Sequence, residues 1–199
     1  MPFSVNFFDN QFRRQLREGE RGLNPFERLA LQFAQGETLD YGCGLGNFAT
    51  AAAQRGCKVL ALDASTAAIA HLRELARSKA LSVDAREADL TCYRPTGSFE
   101  TVVSIGLLMF FDCATARAQL DYLQSCVRPA GVLVVNVLTE GTTYLDMFDP
   151  SSHCLFGRNE LLEHLAGWEV LSNEHQDFPA PGGSVKSFAT LIARKPGAG

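Results

Sequence analysis

The sequence predicts an α/β fold, an open and largely parallel sheet with helices on both faces. Three observations carry that expectation. Between residues 37 and 138, short apolar runs alternate with stretches of helical periodicity. The first run, Thr38-Leu39-Asp40-Tyr41, enters a turn with glycines at 42, 44 and 46, followed by an Ala-rich helical pattern. The run over 131–138 is apolar but for Asn136, as expected of a strand at a sheet centre buried on both faces.

Taken in order, residues 7–18 predict an amphipathic helix. Phe8, Phe12 and Leu16 recur every fourth position, and Arg13, Arg14 and Arg17 fall off that face. Gly19, Gly22 and Pro25 interrupt the pattern, and a short helix over 26–34 leads into the first strand. After the glycine turn and its helix, residues 58–63 read as a second strand, rich in branched residues and ending in Asp63. A helix over 66–79 buries Ile69, Leu72, Leu75 and Ala76. A short third strand, 82–86, delivers Ala88-Asp89-Leu90 into a loop, and residues 99–105 form a fourth. Residues 106–111 make an apolar lip beside the glycine turn. A helix over 113–127 ends at Arg128-Pro129-Ala130-Gly131, a stop signal, before the fifth strand.

The last third changes character. Residues 139–152 are loop-like, 159–165 a short helix, and 168–174 and 185–194 two strands. Those strands have no crossover helix between them, so they must pair antiparallel or bracket another strand. No repeat or composition shift marks a boundary. Residues 1–199 therefore read as a single domain, with an N-terminal helical lid over 1–35, a cofactor-binding core over 37–138, and a substrate-side loop with C-terminal strands over 139–195.

The glycine turn has the layout of a nucleotide-type cofactor site at the first strand-to-helix turn. Without a Cβ at 42, 44 and 46, the chain bends sharply and a ligand sits against bare backbone. Gly44-x-Gly46-x-x-Ala49 also fits the dinucleotide fingerprint, but Asp40 would stand beside the pyrophosphate. Two like charges at ~4 Å repel by roughly 4 kcal/mol at an effective dielectric of 20. S-adenosylmethionine has no phosphate and presents an ammonium and a sulfonium, which an acid at the strand end attracts. Asp63 lies where an acid takes ribose hydroxyls; alternatively it, or Ser65, caps the next helix. Asp89 with a backbone N–H could read the adenine edge, or make local turn bonds.

The net charge of -4 disfavours a nucleic-acid surface. The N-terminus lacks a signal pattern, and the apolar stretch 102–111 is far short of the ~20 residues that span a bilayer. A cytoplasmic protein with no membrane association is expected. The cysteines at 43, 57, 92, 113, 126 and 154 form no CxxC pair and the four histidines no HxxxH pair, so neither a disulfide scaffold nor a metal site is expected. No pattern speaks to oligomeric state.

These motifs together resemble the class I S-adenosylmethionine-dependent methyltransferases. Leu39-Asp40-Tyr41-Gly42-Cys43-Gly44-Leu45-Gly46 resembles the first motif of that family, Asp63 the acid of the second, and Ala88-Asp89-Leu90 the third. Val127-Arg128-Pro129-Ala130-Gly131 resembles the turn before strand five, with Ala130 in place of a glycine. The resemblance implies a Rossmann-like, doubly wound sheet of seven strands in the order 3-2-1-4-5-7-6, strand 7 antiparallel. It implies S-adenosyl-L-methionine as cofactor and S-adenosyl-L-homocysteine as product. The implied cofactor-binding residues are Asp40, Gly42, Cys43, Gly44, Gly46, Asn47 and Phe48 at the first turn, and Asp63, Ala64 and Ser65 at the second. Ala88, Asp89 and Leu90 follow at the third, and Ser104, Ile105, Gly106 and Met109 after strand four.

Within that class the chain is similar to the tellurite-resistance methyltransferases. Ser104-Ile105-Gly106-Leu107-Leu108-Met109-Phe110, Gly167-Trp168-Glu169-Val170 and Phe188-Ala189-Thr190-Leu191-Ile192-Ala193-Arg194-Lys195 carry the similarity. The family's N-terminal Thr-His-Ser is replaced by the Gly22-Leu23-Asn24-Pro25 region, and its His and Arg after Asn173-Glu174 are unmatched. A small-molecule acceptor follows from the resemblance, with a chalcogen oxyanion such as tellurite or selenite as one form.

Methyl transfer is an in-line displacement at an activated sulfonium. It needs an acceptor lone pair held ~3 Å from the methyl carbon and exclusion of water; a strong base is optional, so no catalytic residue can be named. Substrate-side candidates are Arg13, Arg14 and Arg17 on the lid, with Met109, Phe110, Tyr144 and His153; Cys154, His175 and Phe156 stand beside them. Two other functions fit less of the sequence. An NAD-dependent oxidoreductase rests only on Gly44-x-Gly46-x-x-Ala49, and a non-catalytic S-adenosylmethionine-binding protein would share the whole fold.

Overall fold

The computed structural model describes residues 3–18, 22–150 and 152–197, with side chains from residue 7 onward. Two helices precede the sheet, α1 (Phe3–Glu18) and α2 (Pro25–Ala30). Alternation then sets in: β1 (Glu37–Tyr41), α3 (Asn47–Gln54), β2 (Lys58–Asp63), α4 (Thr66–Ser78) and β3 (Val83–Glu87). The second half runs β4 (Phe99–Ile105), α5 (Cys113–Cys126), β5 (Val127–Leu138), α6 (Glu160–His164), β6 (Glu169–Pro179) and β7 (Val185–Arg194).

One seven-stranded sheet results, in the order β3-β2-β1-β4-β5-β7-β6. The pairs β1–β2, β1–β4, β2–β3 and β4–β5 are parallel, and β7 runs antiparallel to both neighbours. The chain turns from β6 to β7 through five residues, too few for a crossover, which forces the antiparallel pair. β6 is longer than its sequence pattern suggests because it pairs with β7 continuously from Ser172↔Ile192 to Pro179↔Val185.

Side chains alternate between two cores. Along β5, Leu133, Val135 and Val137 join the layer containing Ala116, Leu120 and Leu123 of α5. Val132 and Val134 join the opposite layer, with Phe48, Ala49 and Ala52 of α3 and Ile69 and Leu72 of α4. Each Val, Leu, Ile or Phe among them contributes about 1.5–3 kcal/mol on full burial. Covering both faces directs the polar chemistry to the ends of the strands.

Two details depart from expectation. Cys113 and Cys154 form a disulfide with Cα atoms 4.7 Å apart at a sequence separation of 41. The chain after β5 folds back over the start of α5, and Cys154 N–H donates to the Met109 carbonyl at 3.0 Å. A contact this long-range leaves no short spacing to recognise. The other departure is Ala130, which adopts φ 61, the left-handed region where glycine is at home. No helix among the described residues is long and apolar enough to cross a membrane.

Candidate functional site

The C-terminal ends of β1, β2 and β4 lie along one edge of the sheet, and a cavity of about 640 Å³ opens there. Its floor is the glycine turn. Gly42 N–H and Cys43 N–H both donate to the Leu62 carbonyl, at 2.8 and 2.9 Å, tying the turn to the end of β2. The glycines have φ values of 87, 50 and 74 and three different neighbours. A Cβ at Gly42 would stand 2.9 Å from Leu107, at Gly44 3.1 Å from the Phe12 ring, and at Gly46 2.5 Å from Leu72. Gly46 therefore serves the packing of α3 on α4, outside the cavity lining, whereas Gly44 faces α1.

Asp63 organises the second wall. Its Oδ2 accepts Gly44 N–H at 2.8 Å and its Oδ1 accepts Ser65 N–H at 2.8 Å. Ser65 caps α4 by accepting Ala68 N–H, and its hydroxyl donates to Asp9 Oδ1 at 2.6 Å. That last bond anchors α1 over the site. Phe8 of α1 meets Phe110 edge to face at 4.7 Å, and Gln11, Phe12 and Gln15 line the cavity beneath the helix.

The α2 segment supplies an acid. Asn24 Oδ1 accepts Glu27 N–H at 2.9 Å, and Glu27 Oε2 accepts Asn24 N–H at 2.7 Å, a reciprocal cap. The cap fixes Glu27 in the cavity wall near Asp40. Asp40 is 4% exposed, and its Oδ2 has no hydrogen-bond partner among the described residues. Burial pushes its carboxyl well above the usual range, and repulsion from Glu27 and then Asp63 adds to it. Glu27 and Asp63 are also raised, chiefly by burial. Burial likewise pushes the Cys43 thiol well up, leaving it a neutral wall group.

Most residues expected at the cofactor line this cavity: Asp40, Gly42, Cys43, Gly44, Asn47 and Phe48, then Asp63, Ala64 and Ser65, then Asp89, Leu90, Ile105 and Gly106. Gly46, Ala88, Ser104 and Met109 do not. Ala88 is buried and donates its N–H to the Asp63 carbonyl at 2.9 Å. Ser104 is buried within β4. Met109 packs with Leu138, Met147 and Phe148. Asp89 Oδ1 accepts both the N–H and the hydroxyl of Thr91, at 3.0 and 2.6 Å, and these local bonds hold its carboxyl below the usual range.

Of the substrate-side candidates, only Phe110 lines the cavity. Arg13 pairs with Asp9 at 2.7 Å, Arg14 with Glu18 at 3.7 Å, and Arg17 is exposed near the end of α1. The Tyr144 ring lies under Lys186, 4.7 Å from the ammonium nitrogen. His153 stacks on Phe148 at 5.0 Å, with Nδ1 3.2 Å from the Asp149 carbonyl oxygen. Sequence reasoning missed Glu27, Asp112, Thr115 and Ser152, all of which line the cavity. The Asn24-Pro25-x-Glu27 cap pattern was a usable signal for Glu27; Ser152 had none.

Residues 38–131 match the model of a family described as a methyltransferase domain. The matched segment holds 94 of the 199 residues, just under half of the chain. The seven-stranded sheet with its antiparallel β7 is the Rossmann-like methyltransferase fold. TehB from Haemophilus influenzae superimposes with a TM-score of 0.76 at 19% identity, over 91% of this chain and 65% of that one. Magnesium protoporphyrin IX methyltransferase (ChlM) from Synechocystis PCC 6803, solved with bound SAH, gives a TM-score of 0.72 at 16% identity, over 96% and 97%. Among curated proteins, Hemagglutinin 1 of Eikenella corrodens is 26% identical over 171 residues, 81% of this chain. The match spans 55% of that relative's length. The matched segment begins one residue after the start of β1 and ends within β5, and α1, α2 and the C-terminal strands lie outside it.

Proposed function

We propose that the cavity binds S-adenosylmethionine and that the chain transfers its methyl group to a small-molecule acceptor. One observation carries this reading: a buried carboxylate, Asp40, with an unpartnered oxygen at the end of β1, beside a turn of bare backbone. Such a group is stabilised by a cation and destabilised by a phosphate, which favours S-adenosylmethionine over a dinucleotide.

When bound, S-adenosylmethionine supplies a methyl group on a sulfonium, already activated for displacement. The residues of the chain bind, orient and dry the site. Asp40 receives the ammonium. Asp63 accepts from Gly44 and Ser65, and its remaining lone pairs would accept the ribose hydroxyls. Phe8 and Phe12 of α1 cover the turn and exclude water. The resemblance to tellurite-resistance enzymes suggests a chalcogen oxyanion as acceptor. The lid arginines that would receive it do not line the cavity, so the acceptor is better argued from the groups that do.

A thermal-shift series tests the cofactor. S-adenosylhomocysteine at saturating concentration is expected to raise Tm by several degrees, and NAD is expected to leave it unchanged. The reverse pattern would sink the reading in favour of an oxidoreductase.

A further inference from the structure

We infer that the acceptor is an aromatic or apolar amine, recognised as its ammonium form, and not an oxyanion. This rests on reading the cavity as an S-adenosylmethionine site and names the substrate class for it. The cavity wall carries five carboxylates, Glu27, Asp40, Asp63, Asp89 and Asp112, and no Lys, Arg or His among the described residues. Its other large side chains include Phe8, Phe12, Phe110 and Phe111. Carboxylates with aromatic faces are the chemistry that recognises organic cations, through Coulomb attraction and the negative face of the ring. Oxyanions call for guanidinium forks or helix-end N–H groups, whereas Arg13 turns to Asp9, Arg14 to Glu18 and Arg28 to the Leu23 carbonyl, and Arg17 is exposed outside the cavity lining.

The acids are not by themselves the argument. Asp40, with its unpartnered oxygen, is taken by the cofactor ammonium, and Glu27, in the same wall and capped to Asn24 through Oε2 alone, is left to meet a second cation. One cofactor ammonium and one sulfonium leave most of the five acids uncompensated. Burial already holds Glu27 and Asp40 above the ordinary carboxylate range, and a second cation lowers that cost.

The step balances. The bound ammonium gives a proton to a lining carboxylate, for which Glu27 is suited because its cap to Asn24 uses only Oε2. The freed nitrogen lone pair forms the N–C bond to the methyl group. The sulfonium S–C bond breaks, its electron pair staying on sulfur as the neutral thioether. The carboxylate then passes its proton to water.

The test is calorimetry and turnover on one protein preparation. S-adenosylhomocysteine binding is measured first. The protein saturated with it is then titrated with benzylamine, phenethylamine and tryptamine, with the matched carboxylates benzoate, 3-phenylpropionate and indole-3-propionate, with 2-phenylethanethiol, and with selenite. Transfer of labelled methyl from S-adenosylmethionine to the same probes is followed by mass spectrometry. At least one amine is expected to bind and to be methylated with kcat/KM at least tenfold above its carboxylate and above selenite. Phe110→Leu should raise the KM of that amine several-fold with kcat little changed. Normal S-adenosylhomocysteine binding with preference for the thiol, a carboxylate or selenite, or with no amine bound or turned over, would overturn the acceptor class and leave the cofactor reading standing. Absence of S-adenosylhomocysteine binding would overturn both.

Discussion

A buried polar group without a partner costs a fold about 1–3 kcal/mol, and Asp40 is such a group at the mouth of β1. Its folded pKa lies above the ordinary 3.8, as do those of Glu27 and Asp63 above theirs. The folded state therefore holds protons that the unfolded chain has released. The stability these groups contribute is fully present below the unfolded pKa and is lost as pH rises through the folded values. Urea titrations without ligand should accordingly show Asp40→Asn to be more stable than wild type at pH 8 and nearly equal to it at pH 4. Equal stability at both pH values would mean that Asp40 is solvated. Ala130 is a second residue held against its preference, in the left-handed region at φ 61. A left-handed backbone costs an L-residue about 1–2 kcal/mol, while glycine gives back about 0.4–1 kcal/mol through the unfolded chain. Ala130→Gly should therefore stabilise by about 0.5–1 kcal/mol in the same titration, and a destabilised variant would show that the methyl group packs usefully.

At the scale of elements, α1 and the disulfide fix the walls of the cavity. The helix is held by Asp9 on Ser65 and by Phe8 on Phe110, contacts that also close the site. Deleting residues 1–18 should speed S-adenosylhomocysteine dissociation at least tenfold in stopped-flow measurements while the sheet still folds; an unchanged off-rate would show that α1 only packs. The disulfide joins the start of α5, where Asp112 and Thr115 line the cavity, to the segment that carries Ser152. For a loop of 41 residues the chain-entropy treatment gives about 4 kcal/mol of stabilisation. Cys154→Ser should lose most of that under oxidising conditions and match wild type once both are in dithiothreitol. In a reducing compartment the pair stands as thiols. The amphipathic face of α1 was legible from Phe8, Phe12 and Leu16. The direction of its arginines was not, because that depends on Asp9 reaching a hydroxyl 56 residues away.

For the whole molecule, the alternation of apolar runs and helical periodicity made β1, β2, β4 and β5 legible, since a strand buried on both faces has to read as a short apolar block, whereas the edge strand β3 is mostly exposed and has no such block. The glycine turn with Asp40 and Asp63 made the floor of the site legible too, because strand-end acids and bare turns are local features. The far wall was not. Glu27, Asp112 and Ser152 come from three separate segments that meet only when the sheet closes, and no spacing rule links them. What unites the site is its sign: five carboxylates and no described cation around one cavity. The most direct test is calorimetric titration of wild type and Asp40→Asn with S-adenosylhomocysteine and with NAD at pH 6 and pH 8. S-adenosylhomocysteine should bind wild type more tightly at pH 8, as its ammonium meets an ionised Asp40, and at least tenfold more weakly to Asp40→Asn, with NAD silent throughout. Tight NAD binding, or S-adenosylhomocysteine binding indifferent to both pH and Asp40, would contradict the account.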